Sequence, residues 1–441
     1  MKRVAKALAE NDLGTALVRL WVLATDDVRF NRWERAHCAT TCDADVANLQ
    51  DMLERGVALP LATLEEKAIA LILATDALLA SHHGRAHLFN EFNIDGDTFW
   101  LFRQHLAWRA TAAVKGQSES MLTWFQYHTI IPAITPEKVG VKLYPSSGAA
   151  NELLWRMLEN QAESLKIWIG HFADQADVTW EPPISAGKSC RTVSVSPATE
   201  RENSLIAQLE AAKQAGAHFM VLPEFSLDLE QRKKVSQWLR KNNCEHLIYI
   251  VPGSFHELDT TQTPNDFFNT APLFNAEGKV IFTHQKLRRY GKYDIAEDIA
   301  LGNTLHVLAT PLGCLTVLIC KDFMDADARV NNLLQHVLVD WVLVPSFGDQ
   351  KTIDAHQERA KNLAKVVSGT NSAVANTRNS AMDKSGAPLP GFGHSSQTKE
   401  TCFIPDTGGI VEFPLAQQQP PQPQKTLRIG RKSRAKLIRI K

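Results

Sequence analysis

The feature that most constrains the fold is an apolar run at residues 314–323, CLTVLICKDF, which contains a cysteine followed two residues later by an aspartate. Such a continuous run is typical of a strand that is buried on both faces of a layered α/β core. Cys320 stands at the predicted carboxyl end of this strand, where ligands reach the loops of such cores. Two interpretations of Cys320 are open at this point: a thiol used in chemistry, or a packed core cysteine, which is usually inert.

Two further strand-like runs also end near ionisable side chains. Residues 219–222, FMVL, lead to Glu224, and a later run, VIF, leads to Lys286. Taken alone, Glu224 is also consistent with a helix N-cap and Lys286 with a solvated strand end. Together with Cys320 they form a coherent chemical set. A carboxylate can take the proton of a thiol, a thiolate can attack a carbon bonded to nitrogen, and an ammonium can stabilise the charge that develops.

These segments resemble the three catalytic segments of the nitrilase superfamily of carbon-nitrogen hydrolases. The matching segments are VLPEFS around Glu224, HQKLRR around Lys286 and LICKDF around Cys320, in that order. Glu297 and the stretch after it are similar to the second glutamate of the family and the hairpin that follows. Three later segments, DWVLVPS, ERAKNLAKVV and GFGHSS, resemble the strand, helix and glycine-serine loop found after the cysteine. Several ordered segments make the resemblance specific, and it covers about residues 191–441.

The resemblance implies a four-layer α-β-β-α sandwich and the hydrolysis of a non-peptide carbon-nitrogen bond through a cysteine thioester. It makes Glu224 the general base and later the acid, Cys320 the nucleophile, and Lys286 the group that stabilises the tetrahedral intermediate. Glu297 would orient the substrate or the other polar groups. The substrate would be a small amide, carbamoyl compound or nitrile, and this chemistry needs no metal or organic cofactor.

Lys321 departs from the family pattern, which usually has an aromatic residue after the cysteine. An extra cation beside the thiol could lower the pKa of the thiol or attract an anionic substrate, so the substrate class stays open. The alternative function is a non-catalytic binding or regulatory module with the nitrilase fold, which acts with a partner through residues 1–180.

A change of pattern near residue 180 predicts two domains in this chain of 441 residues. Residues 1–180 are expected to form a mainly α-helical domain of unknown role, because they show helical apolar spacing and no strand rhythm. Residues 181–190 contain two prolines and a glycine, which break a helix, and are the predicted linker. Residues 191–441 alternate strands and helices, as expected for the α/β hydrolase domain.

Charge and cysteine content restrict the partners and the compartment. The chain has 48 basic and 48 acidic residues, so its net charge does not favour nucleic acid or a membrane surface. No run reaches the roughly 18 to 20 apolar residues of a membrane span, and the N-terminus lacks the apolar core of a signal peptide. Seven scattered cysteines do not indicate a disulfide framework, and a nucleophilic cysteine suits a reducing interior. We expect a cytoplasmic homo-oligomer that acts on a small molecule, with residues 1–180 available to a protein partner.

Two other clusters of residue types in the sequence are candidate sites. His37, Cys38 and Cys42 raise the idea of a zinc site, but no second pair stands at ligand spacing, so no metal site is predicted. Residues 425–441 contain eight basic and no acidic residues. They are consistent with a solvated edge strand or with a tail that binds nucleic acid or another acidic partner.

Overall fold

The structure is a computed structural model of the whole chain. It describes residues 1–25, 29–30, 32–33, 43–82, 89–103, 125, 127–135, 138–171, 177–182, 189–196, 198–242, 244–258, 266–292, 295–324, 334, 337, 339–365, 369–377, 391–404 and 407–415. The chain divides into two compact units. Of the described residues, those up to residue 130 belong to the N-terminal unit, and those from residue 131 to residue 415 belong to the sandwich unit.

The N-terminal unit begins with helices and continues with a three-stranded sheet of order β1-β2-β3. Its elements are α1 (Lys2–Ala9), α2 (Leu13–Ala24), α3 (Asp43–Glu54), α4 (Leu61–Glu66), α5 (Ala68–His82), β1 (Phe89–Ile94), β2 (Asp97–Arg103) and β3 (His128–Pro132). Helix α5 is apolar on nearly every side and largely buried, as expected for a helix at the centre of a core. The helical prediction therefore holds for the first part of this unit but misses its sheet. Asp95 and Gly96, both with positive φ, form the two-residue turn between β1 and β2, and this Asp-Gly pair is a hairpin signal that the sequence does carry.

The sandwich unit alternates strands and helices. Its elements are β4 (Gly140–Pro145), α6 (Gly148–Glu159), β5 (Ser164–Ile169), β6 (Val178–Glu181), β7 (Arg191–Val195), α7 (Ala198–Gln214), β8 (Phe219–Val221), α8 (Leu229–Lys241), β9 (Tyr249–Val251), β10 (Phe255–Leu258), β11 (Phe267–Asn275), β12 (Val280–Gln285), β13 (Gly291–Lys292), β14 (Ile295–Ala296), β15 (Thr304–Thr310), β16 (Gly313–Val317), α9 (Lys321–Met324), β17 (Trp341–Ser346), α10 (Gln350–Lys365), β18 (Asn371–Asn376), β19 (Phe392–His394), β20 (Thr401–Phe403) and β21 (Gly409–Pro414).

Two seven-stranded sheets form the middle layers of this unit. The first has the order β10-β11-β9-β8-β5-β21 with β12 paired to β11, and the second has the order β20-β19-β18-β17-β16-β15-β4. Strands β5, β8 and β9 are parallel to one another, as are β16, β17 and β18. Parallel strands buried on both faces read as continuous apolar runs, which is why these segments stand out in the sequence.

Aromatic side chains fill the space between the two sheets, and helices cover their outer faces. The rings of Phe219 and Trp341 lie 6.5 Å apart, and Trp341 packs on Phe413 at 5.7 Å. Helices α7 and α8 share an apolar cluster with the first sheet, and α10 contacts β18 and β19 of the second. The predicted α/β sandwich is confirmed. In the described part of the chain, no helix combines the length and apolarity needed to cross a membrane.

The sandwich begins earlier in the chain than the prediction placed it. Strand β5 lies between β8 and β21 inside the first sheet, and β4 pairs with β15 at the edge of the second, although both strands precede residue 180. Both strands find their partners far along the chain, so no local hairpin signal marks them. The predicted linker at residues 181–190 instead falls between β6 and β7, which pair antiparallel within the sandwich unit; residues 183–188 lie outside the described part. Proline and glycine suit a loop between strands as well as a link between domains.

These pairings predict where the chain can be shortened. A fragment of residues 191–441 lacks β4 and β5, which leaves the edges of β8 and β21 unpaired, so we expect it not to fold. A fragment of residues 131–441 keeps every strand of both sheets and should fold. Far-UV circular dichroism with thermal unfolding checks this. A cooperative transition in the shorter fragment at the temperature of the longer one would contradict this topology.

Candidate active site

Cys320 lies at a sharp bend between β16 and α9. Its φ of 41° is in the left-handed region, which costs a residue with a side chain about 1–3 kcal/mol and persists only where neighbours hold it. The Cys320 N–H donates to the carbonyl of Pro345 at 2.9 Å, and the Cys320 carbonyl accepts from the N–H groups of Phe323 and Met324. The strand end thus turns directly into a helical turn, and the bend fixes the position of the thiol.

Asp322 joins this bend to the segment that carries Lys286. Its carboxylate accepts four hydrogen bonds, from Leu287 N at 3.0 Å, Arg288 N at 2.7 Å, Ile319 N at 3.3 Å and His284 Nε2 at 3.1 Å. Asp322 and His284 are both fully buried. Because one carboxylate holds backbone groups on both sides of the site, the lysine segment and the cysteine bend cannot move independently.

Glu224, Lys286 and Glu297 form one buried ionic cluster. Lys286 Nζ lies 3.0 Å from Glu224 Oε1 and 2.8 Å from Glu297 Oε2. Asn269 Nδ2 donates to Glu224 Oε1 at 2.8 Å and to Glu297 Oε1 at 3.1 Å. None of these residues is more than 4% exposed, so the charges interact in a medium that screens them poorly. Among the described residues, both donors to Glu224 reach Oε1, which leaves Oε2 as the oxygen able to exchange a proton.

Glu297 has additional donors of its own. The backbone N–H of Tyr290 donates to its Oε2 at 2.7 Å, and His256 Nε2 lies 3.3 Å from its Oε1. The Thr192 N–H donates to His256 Nδ1 at 2.8 Å, so Nδ1 is unprotonated and Nε2 carries the ring proton that is donated to Glu297. A carboxylate that accepts this many hydrogen bonds is strongly stabilised in its charged form.

The two carboxyl groups consequently differ in acidity. Burial raises the pKa of Glu224 to about 7, Glu297 adds to this effect, and Lys286 opposes it. Burial would also raise the pKa of Glu297, but Lys286 and the hydrogen bond from His256 outweigh it and bring the pKa to about 2. Burial disfavours the charged form of Lys286, yet Glu224 and Glu297 together raise the pKa of its ammonium above the ordinary value. Near neutral pH, Lys286 and Glu297 are therefore charged while Glu224 can gain or lose a proton.

The thiol of Cys320 is buried beside this cluster. Burial and the negative charge of Glu224 raise the pKa of Cys320 to about 12, while Lys286 lowers it. The sulfur lies 4.0 Å from the carbonyl of Phe347, to which the thiol can donate, and 3.8 Å from Ser346 Oγ. At neutral pH the cysteine is a thiol that needs a base before it can attack.

The structure places each residue that the sequence singled out for the site. Glu224, Lys286 and Glu297 are brought into direct contact, and Cys320 lies within electrostatic range of the first two. Lys321 is half-buried at the first position of α9. In the described part of the chain, no three His, Cys, Asp or Glu side chains are grouped to bind a metal. The described part does not include His37, Cys38 and Cys42, which were the candidate zinc ligands. It also does not include the basic residues 425–441.

Several residues of the site were missed by the sequence analysis. They are buried polar side chains, namely His256, Asn269, Asp322, Ser346 and His356. Asn269 interrupts the apolar strand β11, and His356 stands in the buried stripe of α10 beside Ile353 and Ala360. A polar residue at a core position must find a partner there, and this was the available signal.

The comparisons with known proteins bear on this part of the chain. Residues 185–336 match the model of the carbon-nitrogen hydrolase family. The match confirms the resemblance read from the sequence over this stretch, which contains Glu224, Lys286, Glu297 and Cys320. The remaining residues of the chain lie outside the carbon-nitrogen hydrolase match. No curated protein matched the sequence.

Solved protein structures are also similar to parts of the chain. An amidase from Nesterenkonia sp. is 16% identical over 58% of this chain and 91% of its own, with a TM-score of 0.41. A mutant of the amidase from Nesterenkonia sp. AN1, with the acetamide moiety of fluoroacetamide added covalently at its active-site cysteine, is 16% identical over 58% of this chain and 92% of its own, with a TM-score of 0.41. The C. elegans NitFhit protein is 16% identical over 57% of this chain and 61% of its own, with a TM-score of 0.42.

The four hydrogen bonds of Asp322 predict a large effect on stability. Asp322→Ala leaves buried backbone N–H groups and the His284 ring without their acceptor, so we expect a loss of at least about 3 kcal/mol in the free energy of unfolding. Urea denaturation measures this loss. The matched control is Asp354→Ala on α10, which removes an exposed carboxylate and should change the free energy by about 0.5 kcal/mol or less. Equal effects of the two substitutions would contradict the role of Asp322.

Proposed function

We propose that this chain hydrolyses a non-peptide carbon-nitrogen bond, with Cys320 as the nucleophile and Glu224 and Lys286 as its catalytic partners. The observation that carries the proposal is the buried contact of Lys286 with both Glu224 and Glu297 next to a thiol held at a strained strand end. The match of residues 185–336 to the carbon-nitrogen hydrolase family supports the reaction class. The substrate is a small amide, carbamoyl compound or nitrile.

The first step is formation of the thiolate. Glu224 is ionised above a pH of about 7 and takes the proton from Cys320 Sγ, whose own pKa is too high for spontaneous ionisation. The sulfur then attacks the carbon that is bonded to nitrogen. Because the thiolate forms only as its proton leaves for Glu224, general-base catalysis compensates for the weak acidity of the thiol.

Lys286 stabilises the tetrahedral intermediate that follows attack. Its ammonium is charged at every pH in the working range, and its buried position removes the screening of water. Lys286 forms an ion pair with each glutamate, and its contact with Glu297 is the shorter of the two. Glu297 therefore holds the ammonium in place. The role of Glu297 in this scheme is to orient Lys286, with Asn269 helping to fix both carboxylates.

The second half of the reaction reuses the same groups. The protonated Glu224 gives its proton to the leaving nitrogen as the carbon-nitrogen bond breaks, and ammonia or an amine departs. The carbon of an amide or carbamoyl substrate then remains bonded to Cys320 as a thioester. With a nitrile, the proton instead adds to the nitrogen and no carbon-nitrogen bond breaks, which gives a thioimidate that keeps the nitrogen; water must add to the thioimidate before ammonia leaves and the same thioester forms. Glu224, again ionised, takes a proton from water, which hydrolyses the intermediate and returns the thiol.

The alternative of a non-catalytic module is less well supported. Burying Lys286 with two carboxylates costs desolvation energy that an apolar cluster would not require. A binding module has no need for a carboxyl group poised near pH 7 beside a cysteine. A protein partner for residues 1–180, a homo-oligomer and a cytoplasmic location stay predictions.

Substitution of the nucleophile tests the proposal. Cys320→Ala should abolish turnover of any amide, carbamoyl compound or nitrile that the wild type hydrolyses, because no other atom forms the covalent intermediate. Release of ammonia or amine is the measurement, and circular dichroism checks that the fold is intact. Cys314→Ala is the matched control: this thiol is buried in β16, the strand that leads to Cys320, six residues earlier, and its loss should leave turnover in place. Wild-type turnover by Cys320→Ala would refute the proposed mechanism.

A further inference from the structure

Ser346 and His356 form a buried pair that reaches the sulfur of Cys320. Ser346 is the last residue of β17, His356 lies in α10, and the exposed fraction of each is 0%. Ser346 Oγ lies 3.8 Å from Cys320 Sγ and 3.1 Å from His356 Nε2. The proposed mechanism assigns no role to this pair, although it touches the atom that carries out the attack.

The direction of the hydrogen bonds follows from the surroundings of His356. In the described part of the chain, His356 Nδ1 has no hydrogen-bond partner. A proton on Nδ1 would be a buried donor with no acceptor, whereas a proton on Nε2 has Ser346 Oγ as its acceptor. The Nε2–H group therefore donates to Ser346 Oγ. The single proton of the hydroxyl is then left to point at Cys320 Sγ.

His356 keeps this arrangement over the neutral pH range. Burial lowers the pKa of His356 to about 3, so the ring carries one proton rather than two. The ring also packs against Phe323, with centroids 5.7 Å apart, in the turn that follows Cys320. The donor to Ser346 is thus neutral and fixed in orientation.

The backbone holds Ser346 between the nucleophile and the base. The Ser346 carbonyl accepts from the N–H of Glu224 at 3.3 Å and from the N–H of Thr377 at 3.1 Å, and the preceding carbonyl, of Pro345, accepts from Cys320. A hydroxyl placed in this way needs no reorganisation when charge develops on the sulfur, which is the condition for efficient electrostatic stabilisation.

We propose that Ser346 is a further catalytic residue and His356 its positioning residue, and that the donor chain from His356 through Ser346 stabilises the thiolate of Cys320. This rests on the proposed function, in which Cys320 is the nucleophile. Only the thiol proton changes place, from Cys320 Sγ to Glu224, while Ser346 and His356 keep their protons. A hydrogen bond to a charged acceptor is stronger than one to a neutral acceptor, so the hydroxyl favours the thiolate over the thiol.

Among the described residues, the other titratable groups that face the thiol are Glu224 and Lys286 from the ends of β8 and β12, and Tyr290 from the segment after Lys286. Glu224 disfavours the thiolate and Lys286 favours it. Neither effect requires Ser346. Substitution of the serine should therefore shift the ionisation of Cys320 without removing the base or the ammonium.

The test is the pH dependence of the alkylation of Cys320 by iodoacetamide in the full-length protein, followed by peptide mapping. Ser346→Ala should lower the rate constant about tenfold at a given pH and move the profile to higher pH. Ser346→Thr retains a hydroxyl and should recover part of the rate. His356→Gln retains an amide donor, so the rate constant for its alkylation should be higher than that of His356→Leu, which has no donor. On any accepted amide, kcat should fall with little change in KM.

Ser372→Ala is the matched control, because Ser372 is buried on the neighbouring strand β18 and its hydroxyl has no partner among the described residues. The pH dependence of Cys320 alkylation in Ser372→Ala should equal that of the wild type. An unchanged profile in folded Ser346→Ala would overturn the proposal; if that variant does not fold, equal profiles for His356→Gln and His356→Leu would overturn it. Turnover that persists in Cys320→Ala would instead refute the proposed function, while alkylation, which reports the thiolate directly, would still decide the role of Ser346.

Discussion

The site depends on one buried ammonium group that is shared by two carboxyl groups. Lys286 carries a single positive charge, whereas Glu224 and Glu297 would together carry two negative charges if both were ionised. In a poorly solvated cluster the surplus negative charge is costly, so one carboxyl group must become easier to protonate. Glu297 accepts hydrogen bonds from His256 and from the backbone of Tyr290, and Glu224 lacks both. Glu224 is therefore the carboxyl group whose pKa is raised, and it is the group that the proposed reaction needs as an acid and a base.

The fold brings these groups together from the carboxyl ends of strands in both sheets. Glu224 follows β8 and Lys286 follows β12 in the first sheet, while Cys320 follows β16 in the second. Two side chains connect these ends. Asp322 holds the backbone after Lys286 against the cysteine bend, and Ser346 lies between the backbone of Glu224 and the sulfur. The geometry of the site is thus set by buried hydrogen bonds between separate strands, which is why single substitutions far from any substrate atom are expected to matter.

Much of this arrangement could be predicted from residues that are close together in the sequence. The apolar run before Cys320, the turn with Gly278 between β11 and β12, and the turn with Gly313 between β15 and β16 are all local signals. Gly313 has a φ of 103°, and a Cβ there would overlap the carboxylate of Asp340, so its position is tightly constrained. A family resemblance then linked the three strand ends, which no local pattern could have done.

The features that could not be predicted depend on contacts between distant segments. Strand β5 has a short apolar run that is equally compatible with a helix, and only its pairing with β8 and β21 decides its structure. Asn269 and His356 are buried polar residues, and the sequence does not show which partners they meet. The unequal acidity of Glu224 and Glu297 follows from the contacts of Glu297 with His256 and with the backbone of Tyr290, so it requires the folded chain.

The ionisation of Glu224 in the folded protein shows directly whether the shared ammonium of Lys286 leaves this carboxyl group as the base. Carbon-13 NMR of protein labelled at the glutamate side-chain carboxyl carbon, with the Glu224 resonance assigned by its loss in Glu224→Gln, follows that carboxyl group as a function of pH. The shared ammonium predicts an apparent pKa of about 7 for Glu224, with the carboxylate formed above it, and a still higher value in Asn269→Ala, because Asn269 donates to the ionised form. An ordinary glutamate pKa near 4 in the wild type would contradict the claim that the shared ammonium leaves Glu224 poised as the base.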